Sequence, residues 1–367
     1  MFRLKNVILT ACVSIVLLAC DGFKMPKNIF DSSARARYER SFKGADSLMT
    51  EWKKNFEVAA TSQLSVHDGF SAIVEYEIND LHALAYHLEL NRGERLIIKA
   101  GLPESPGQRI FVDVDPADSP VSPASSQLLQ ADGYSEVIEN TGRYRIIIQP
   151  EIGFSGTFNL RIYTQPSLAF PVAGKGNAAV QSFWGAARDG GARNHEGVDI
   201  FAARGTPVVA AVDGIVMRTG HQGLGGKQVW LRDGLLGNSL YYAHLDSVMT
   251  TAGTRVRTGD TLGTVGTTGN AKGGSPHLHF GIYSTGSAVD PWPFLRKRDA
   301  AKSSPLKIPA LQTLKASSNL RRGPGADFEI IANVPSKTSV RILAHVGDWL
   351  HIKTESLEGF VLLTRLY

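Results

Sequence analysis

Cysteine is nearly missing from this 367-residue chain: there are two, Cys12 and Cys20, both in the first twenty residues. A chain cut before Cys20 cannot form an internal disulfide even in an oxidising compartment, so packing or a metal must hold the fold. Long apolar runs are missing too; the best, Val7 to Leu18, is too short to span a membrane comfortably. There is no H-E-x-x-H, which excludes the usual helical zinc protease. The basic residues are scattered and no aromatic-basic recognition motif occurs, so a net charge of +5 suits an anionic surface better than nucleic acid, and no nucleic-acid partner is expected.

What is present starts with "MFRLKNVILTACVSIVLLAC". Arg3 and Lys5 flank the apolar run, and small Ala19 precedes Cys20, which is the layout of an export signal. The segment resembles a bacterial lipoprotein signal, whose cysteine is lipidated and becomes the new N-terminus. That resemblance implies a signal peptide over 1–19 and a membrane tether through Cys20. The protein would then be exported and anchored in the cell envelope, on the periplasmic side of the inner or outer membrane. An ordinary cleaved signal or an uncleaved anchor is the alternative.

The length suggests two to four domains, and the chain reads as mostly β and multi-domain. Residues 20–63 would hold the lipidated terminus and a short amphipathic helix, because Tyr38, Phe42, Ala45, Leu48, Trp52 and Phe56 recur at helical spacing. Residues 64–165 alternate in short strands such as "FSAIVEYEI" and "YRIIIQP" with no helix between them, which predicts an antiparallel β-sandwich. Asp113, Asp115 and Asp118 read as an acidic turn between strands. A Gly- and Val-rich unit covers 166–295, a polar basic stretch over 296–310 reads as a linker, and 311–367 has the size of a small barrel.

Chemistry concentrates in the third unit. In "SPHLHFGIY" His277 and His279 are two apart, and side chains at i and i+2 of a strand face one way. In "NHEGVDIF" Gly197 and the β-branched run around it favour a turn entering a strand, with His195 and Asp199 on the same side. Two imidazoles and a carboxylate are the ligand mix of a catalytic zinc that leaves its fourth position to water. His244 in "LYYAHLDS" adds another histidine at an apparent strand position. His221 reads as a solvated turn residue; His67, His82, His87, His345 and His351 read as structural or exposed. Trp184 and Arg188 are expected near the groove.

On these residues the unit resembles the lysostaphin-like zinc metallopeptidases, whose pattern runs H-x(3)-D, then Y-x-H-L, then H-x-H. The resemblance implies one Zn²⁺ per chain held by His195, Asp199 and His279, with His277 and His244 as the catalytic histidines. It leaves open which of the two is the general base and which hydrogen-bonds the developing oxyanion. Two departures stand out: the long turn "GNAKGGSP", and Gly281 where many members carry Glu. The C-terminal "SNLRRGPG" and "VGDWLHI" are similar to bacterial SH3-like domains, which implies targeting to wall peptides. The N-terminal helix and sandwich resemble a pre-peptidase-type domain.

The activity implied is that of a zinc-dependent peptidoglycan endopeptidase, a monomer that cuts cross-link or stem peptides with metal-activated water. The alternatives are a non-catalytic or auto-inhibited activator of other wall hydrolases on the same fold, and a metalloprotease acting on proteins.

Overall fold

The structure is a computed structural model that describes residues 33–101, 108–120, 125–298 and 309–366. The leader, Cys20 and any lipid on it lie outside the described residues. The fold is mostly β, built from antiparallel sheets with few helices, as the alternating sequence predicts.

The expected single helix is two, Ala34–Ser41 and Asp46–Ala60. Ser33 caps the first, its Oγ accepting from the Ala36 amide. The break follows from Phe42, whose backbone is extended and whose ring lies over Gly44; a Cβ at Gly44 would come within 2.4 Å of it. Tyr38 and Trp52 still meet, 5.3 Å apart and edge-on. Leu48, assigned to the apolar face by its spacing, is exposed.

Behind these helices two sheets face each other. One contains Leu84–Leu90, Gly142–Pro150 and Ile110–Pro116; the other contains Phe70–Tyr76, Gly156–Pro166 and Glu94–Gly101. Their inward residues, among them Leu84, Leu96, Ile110, Ile146 and Phe158, form one core. The acidic-turn expectation holds for Asp118 and fails for the other two. Asp113 and Asp115 lie in the strand Ile110–Pro116, and Asp113 is fully buried against Arg35, with Nη2 2.8 Å from Oδ2. Burial pushes the Asp113 carboxyl up and Arg35 opposes that push. The guanidinium also donates to Gln149 and lies over Trp52 and Phe56, so one buried cation ties both helices to the sandwich.

The second sheet does not end at its own edge. Phe70–Tyr76 pairs antiparallel with Ser339–Val346, Ile73 opposite His345, so the strand order runs on into the C-terminal unit and makes ten strands. Leu343, Ala344 and Phe360 enter the sandwich core rather than that of their own unit. His351, with no exposed surface, bridges the Tyr86 hydroxyl and the Glu358 carboxylate at 3.0 Å each. Arg341 pairs with Asp80 across the same seam. The two ends of the chain thus share one sheet and one core. The middle unit is held to them by Arg298, which pairs with Asp68 and Glu94, and by Arg92, which donates to Asn238 and Ser284.

Removing one member of a buried ion pair strands the other, at a cost of about 3–5 kcal/mol. Arg35→Met is therefore expected to lower unfolding stability by about that much, checked by urea titration.

Burial, which outweighs the opposing pull of Asp80, pushes His82 down to about 3, and burial followed by Arg143 and Arg145 pushes His87 down to about 4. Unfolded, both titrate near about 6.5, so below that pH the unfolded chain binds protons that the native chain refuses. Stability should fall as pH drops from about 6.5 toward about 4, and His87→Gln should flatten part of that slope in urea midpoints.

Candidate active site

The site stands on one face of an eight-stranded sheet. Its central strands are Val198–Phe201, His277–Ser284, Ser239–Ala243 and Gly226–Asp233. On one face Val198, Ile200, Leu278, Phe280, Ile282, Leu240, Tyr242, Val229 and Leu231 have no exposed surface. Alternation sends Asp199, His277, His279, Gly281, Tyr283, Tyr241 and Trp230 to the other. Register completes the work: Asp199 lies opposite His279, Phe201 opposite His277, and Tyr241 opposite Gly281.

Three lone-pair atoms converge there. His195 Nε2 is 3.0 Å from Asp199 Oδ1 and 3.0 Å from His279 Nδ1, and the last two are 3.1 Å apart. Donors bound to one zinc at about 2.0–2.2 Å would sit about 3.3 Å apart, so this donor set fits a tetrahedral ion with one position to spare. Among the described residues it is the one such His/Asp/Glu/Cys group. Burial pushes the Asp199 carboxyl up, but the adjoining His195 and His279 rings more than reverse this and hold it well below the usual carboxylate range. Burial lowers His279 as well, against the pull of Asp199.

The ring tautomers are set by backbone carbonyls. His195 Nδ1 lies 2.9 Å from the Phe183 carbonyl, so it carries the hydrogen and Nε2 faces the cluster. His277 Nδ1 is 2.8 Å from the Ser275 carbonyl, and His244 Nδ1 is 2.9 Å from that of Thr268. Both therefore present Nε2 as an acceptor when neutral. His277 Nε2 stands 3.9 Å from Asp199 Oδ1, and the His244 ring lies 5.0 Å from that of His277. Burial, then the nearby His279 and His277 rings, push His244 down to about 4, so it is neutral at pH 7.

His244 is not within a strand. It sits between Ser239–Ala243 and Leu245–Val248, where the chain leaves the eight-stranded sheet for a three-stranded one, and its φ is +63°. A non-glycine residue in this region is uncommon and costs of order 1–3 kcal/mol, so the surrounding structure must hold it there.

All five residues singled out from the sequence therefore meet around one open cavity of about 880 Å³, lined entirely by residues between Ser182 and Tyr283. Arg188 lines it, whereas Trp184 stands outside the lining; His221 is exposed at a strand end. The long turn before His277 supplies Asn270, Ala271 and Ser275 to the wall. Sequence reasoning missed Glu196, Gln228, Trp230, Tyr241 and Tyr283, which also line it. Tyr283 was findable: it is on the face of His277 and His279 by parity. Gly281 has a reason in this setting, since its Cβ would stand 3.1 Å from the Glu196 carbonyl and 3.3 Å from the Tyr283 ring.

The geometry belongs to a known class. A model of peptidase family M23 matches residues 193–291, and one of the bacterial SH3 domain matches 316–365. The chain carries a lysostaphin-like M23 peptidase domain followed by a bacterial SH3 domain. It is similar to the L-Ala–D-Glu endopeptidase of Bacillus subtilis, 38% identical over 141 residues, which are 35% of this chain and 43% of that protein. It is similar to the glycyl-glycine endopeptidase ALE-1 of Staphylococcus capitis, 36% identical over 118 residues, 30% of this chain and 32% of the other. The peptidoglycan DD-endopeptidase ShyC of Vibrio cholerae is 36% identical over 100 residues, 26% of this chain and 22% of its own. The chain thus spans less than half the length of these relatives.

Gly197 packs its Cα against the site: a Cβ there would lie 2.6 Å from the Phe280 carbonyl and 2.7 Å from His279 Cε1. Gly197→Ala should push the His279 ring out of place and lower metal retained after dialysis, read as metal per chain against wild type.

Proposed function

We propose that this protein is a zinc-dependent peptidoglycan endopeptidase of the bacterial cell envelope. The observation that carries the reading is the convergence of His195 Nε2, Asp199 Oδ1 and His279 Nδ1 within 3.1 Å, beside two further histidines whose Nε2 atoms are acceptors. The M23 domain and the relatives' names, which cover three different peptide bonds, support the substrate class.

His195, Asp199 and His279 would hold the ion. Zinc supplies Lewis acidity and brings the pKa of its water from about 16 to about 7. The chain's own residues do the rest. His277, nearest the cluster and held in one tautomer by its Nδ1–H bond to the Ser275 carbonyl, presents Nε2 to take a proton. The ring that accepts a proton becomes a donor at that atom, so it can return the proton to the leaving amine. His244 is held in the same tautomer by Thr268 and faces the same space from the junction between Ser239–Ala243 and Leu245–Val248; it becomes a donor to the developing oxyanion only once protonated at Nε2. The open cavity, free of residues from the other units, suits an extended peptide. We also infer from the leader a lipid tether at Cys20, and from its family a wall-peptide role for the SH3 domain.

His279→Ala should lose both metal and activity. His277→Ala should keep metal while turnover drops about 10²–10⁴-fold, the usual worth of a general base; undiminished turnover would pass that role to His244. The reading as a whole is tested by digesting purified peptidoglycan with and without chelator and weighing the products. Chelator-sensitive release of un-crosslinked or shortened stem peptides is expected. Cleavage of unfolded proteins with intact peptidoglycan would favour a general metalloprotease.

A further inference from the structure

Asp199 offers two oxygens, and the structure treats them differently. Oδ1 faces His195 and His279. Oδ2 accepts a hydrogen bond from Arg188 Nη2 at 2.6 Å. The same nitrogen donates to Ser182 Oγ at 2.6 Å, and that oxygen lies 3.3 Å from His195 Nδ1. One guanidinium nitrogen thus reaches the supports of two of the three lone-pair groups. Ser182 and Asp199 are register partners on adjacent strands, and Arg188 comes from the short hairpin Ala187–Arg188 with Arg193–Asn194 that folds over them. The pair is partly buried, with side chains 29% and 10% exposed, so solvent does not dissolve it as it does a surface bridge.

Placing a cation here has a cost if a divalent ion is to bind next door, because like charges repel. A carboxylate with both oxygens free can ligate through either or both, whereas with Oδ2 held by the guanidinium it is Oδ1 that is turned toward the two imidazoles. With two imidazole nitrogens that gives three ligand atoms, the number that leaves a catalytic zinc an open position.

We propose that Arg188 is a positioning residue that fixes Asp199 as a one-oxygen ligand and thereby keeps the metal site three-coordinate toward the protein. The inference rests on the metal-site reading above and goes beyond it by naming what sets the ligand count.

The test uses the full chain, titrated with Zn²⁺ against a competing chelator and with Co²⁺ followed by visible absorption, which reports coordination number. Arg188→Met should weaken metal binding about 10- to 100-fold, as loss of an outer partner of a ligand does, and should shift the Co²⁺ spectrum. Arg188→Lys should recover much of the affinity, and added guanidinium should restore the wild-type spectrum to Arg188→Ala. If wild type bound neither ion, the metal-site reading would fail with everything built on it. If wild type bound both and Arg188→Met matched it in affinity and spectrum, the positioning role alone would be wrong. Weakened binding that neither lysine nor guanidinium recovers would also overturn it, because a residue that only props up the hairpin cannot be replaced in that way.

Discussion

The period-two alternation of the strand His277–Ser284 is the constraint on which the site depends. Leu278, Phe280 and Ile282 are driven into the core, each burial stabilising the fold by about 1.5–3 kcal/mol. His277 and His279 must then face outward. A slip of one residue would bury both histidines and expose three large apolar side chains, so register is enforced by the core and not by the site. The neighbouring strands obey the same rule, which brings Asp199, Tyr241 and Trp230 to the same face. Hydrophobic burial thus positions the polar groups of the site.

Several departures from this regularity lie on the site face or beside it. His244 takes a left-handed backbone at the point where one sheet passes to another. Gly197 gives up its side chain so that the His279 ring can lie against the backbone. The carbonyls of Phe183, Thr268 and Ser275, none of them in a strand's ladder, hold three imidazoles in one tautomer each. Each device is local and small. Together they turn four rings that could point many ways into a set whose acceptor nitrogens face common space.

This division explains what was legible in the sequence. The mostly β class and the H-x-H pair could be read because alternation is local, and the H-x(3)-D could be read because Gly197 marks the turn before a strand. Long-range pairings left no such mark. Nothing in "SVRILAHV" says that it will pair with "FSAIVEY" some 270 residues earlier. The burial of Asp113 beneath Arg35 was hidden for the same reason: an aspartate among aspartates looks like a turn until its partner arrives from a distant helix. Helical spacing from Tyr38 to Phe56 was read as one helix because Phe42 keeps the period while its backbone leaves it. The aromatic wall was missed because parity was applied to the histidines and not carried on to Tyr283.

The shared sheet alters what the C-terminal unit can do for the enzyme. A module on a free tether adds avidity by sampling a volume set by its linker. Here the SH3 domain contributes Leu343, Ala344 and Phe360 to the sandwich core and pairs strand to strand with it, so it moves with the N-terminal unit. Whatever it binds is presented at a fixed place on that platform. The catalytic domain joins the platform through a few polar contacts, chiefly those of Arg92 and Arg298, and through the Phe294 ring packed against Gly93. That is the weaker seam of the two. Any change in the distance between whatever the SH3 domain holds and the His195–Asp199–His279 cluster therefore has to come from the polar seam, while the β-sheet seam stays closed.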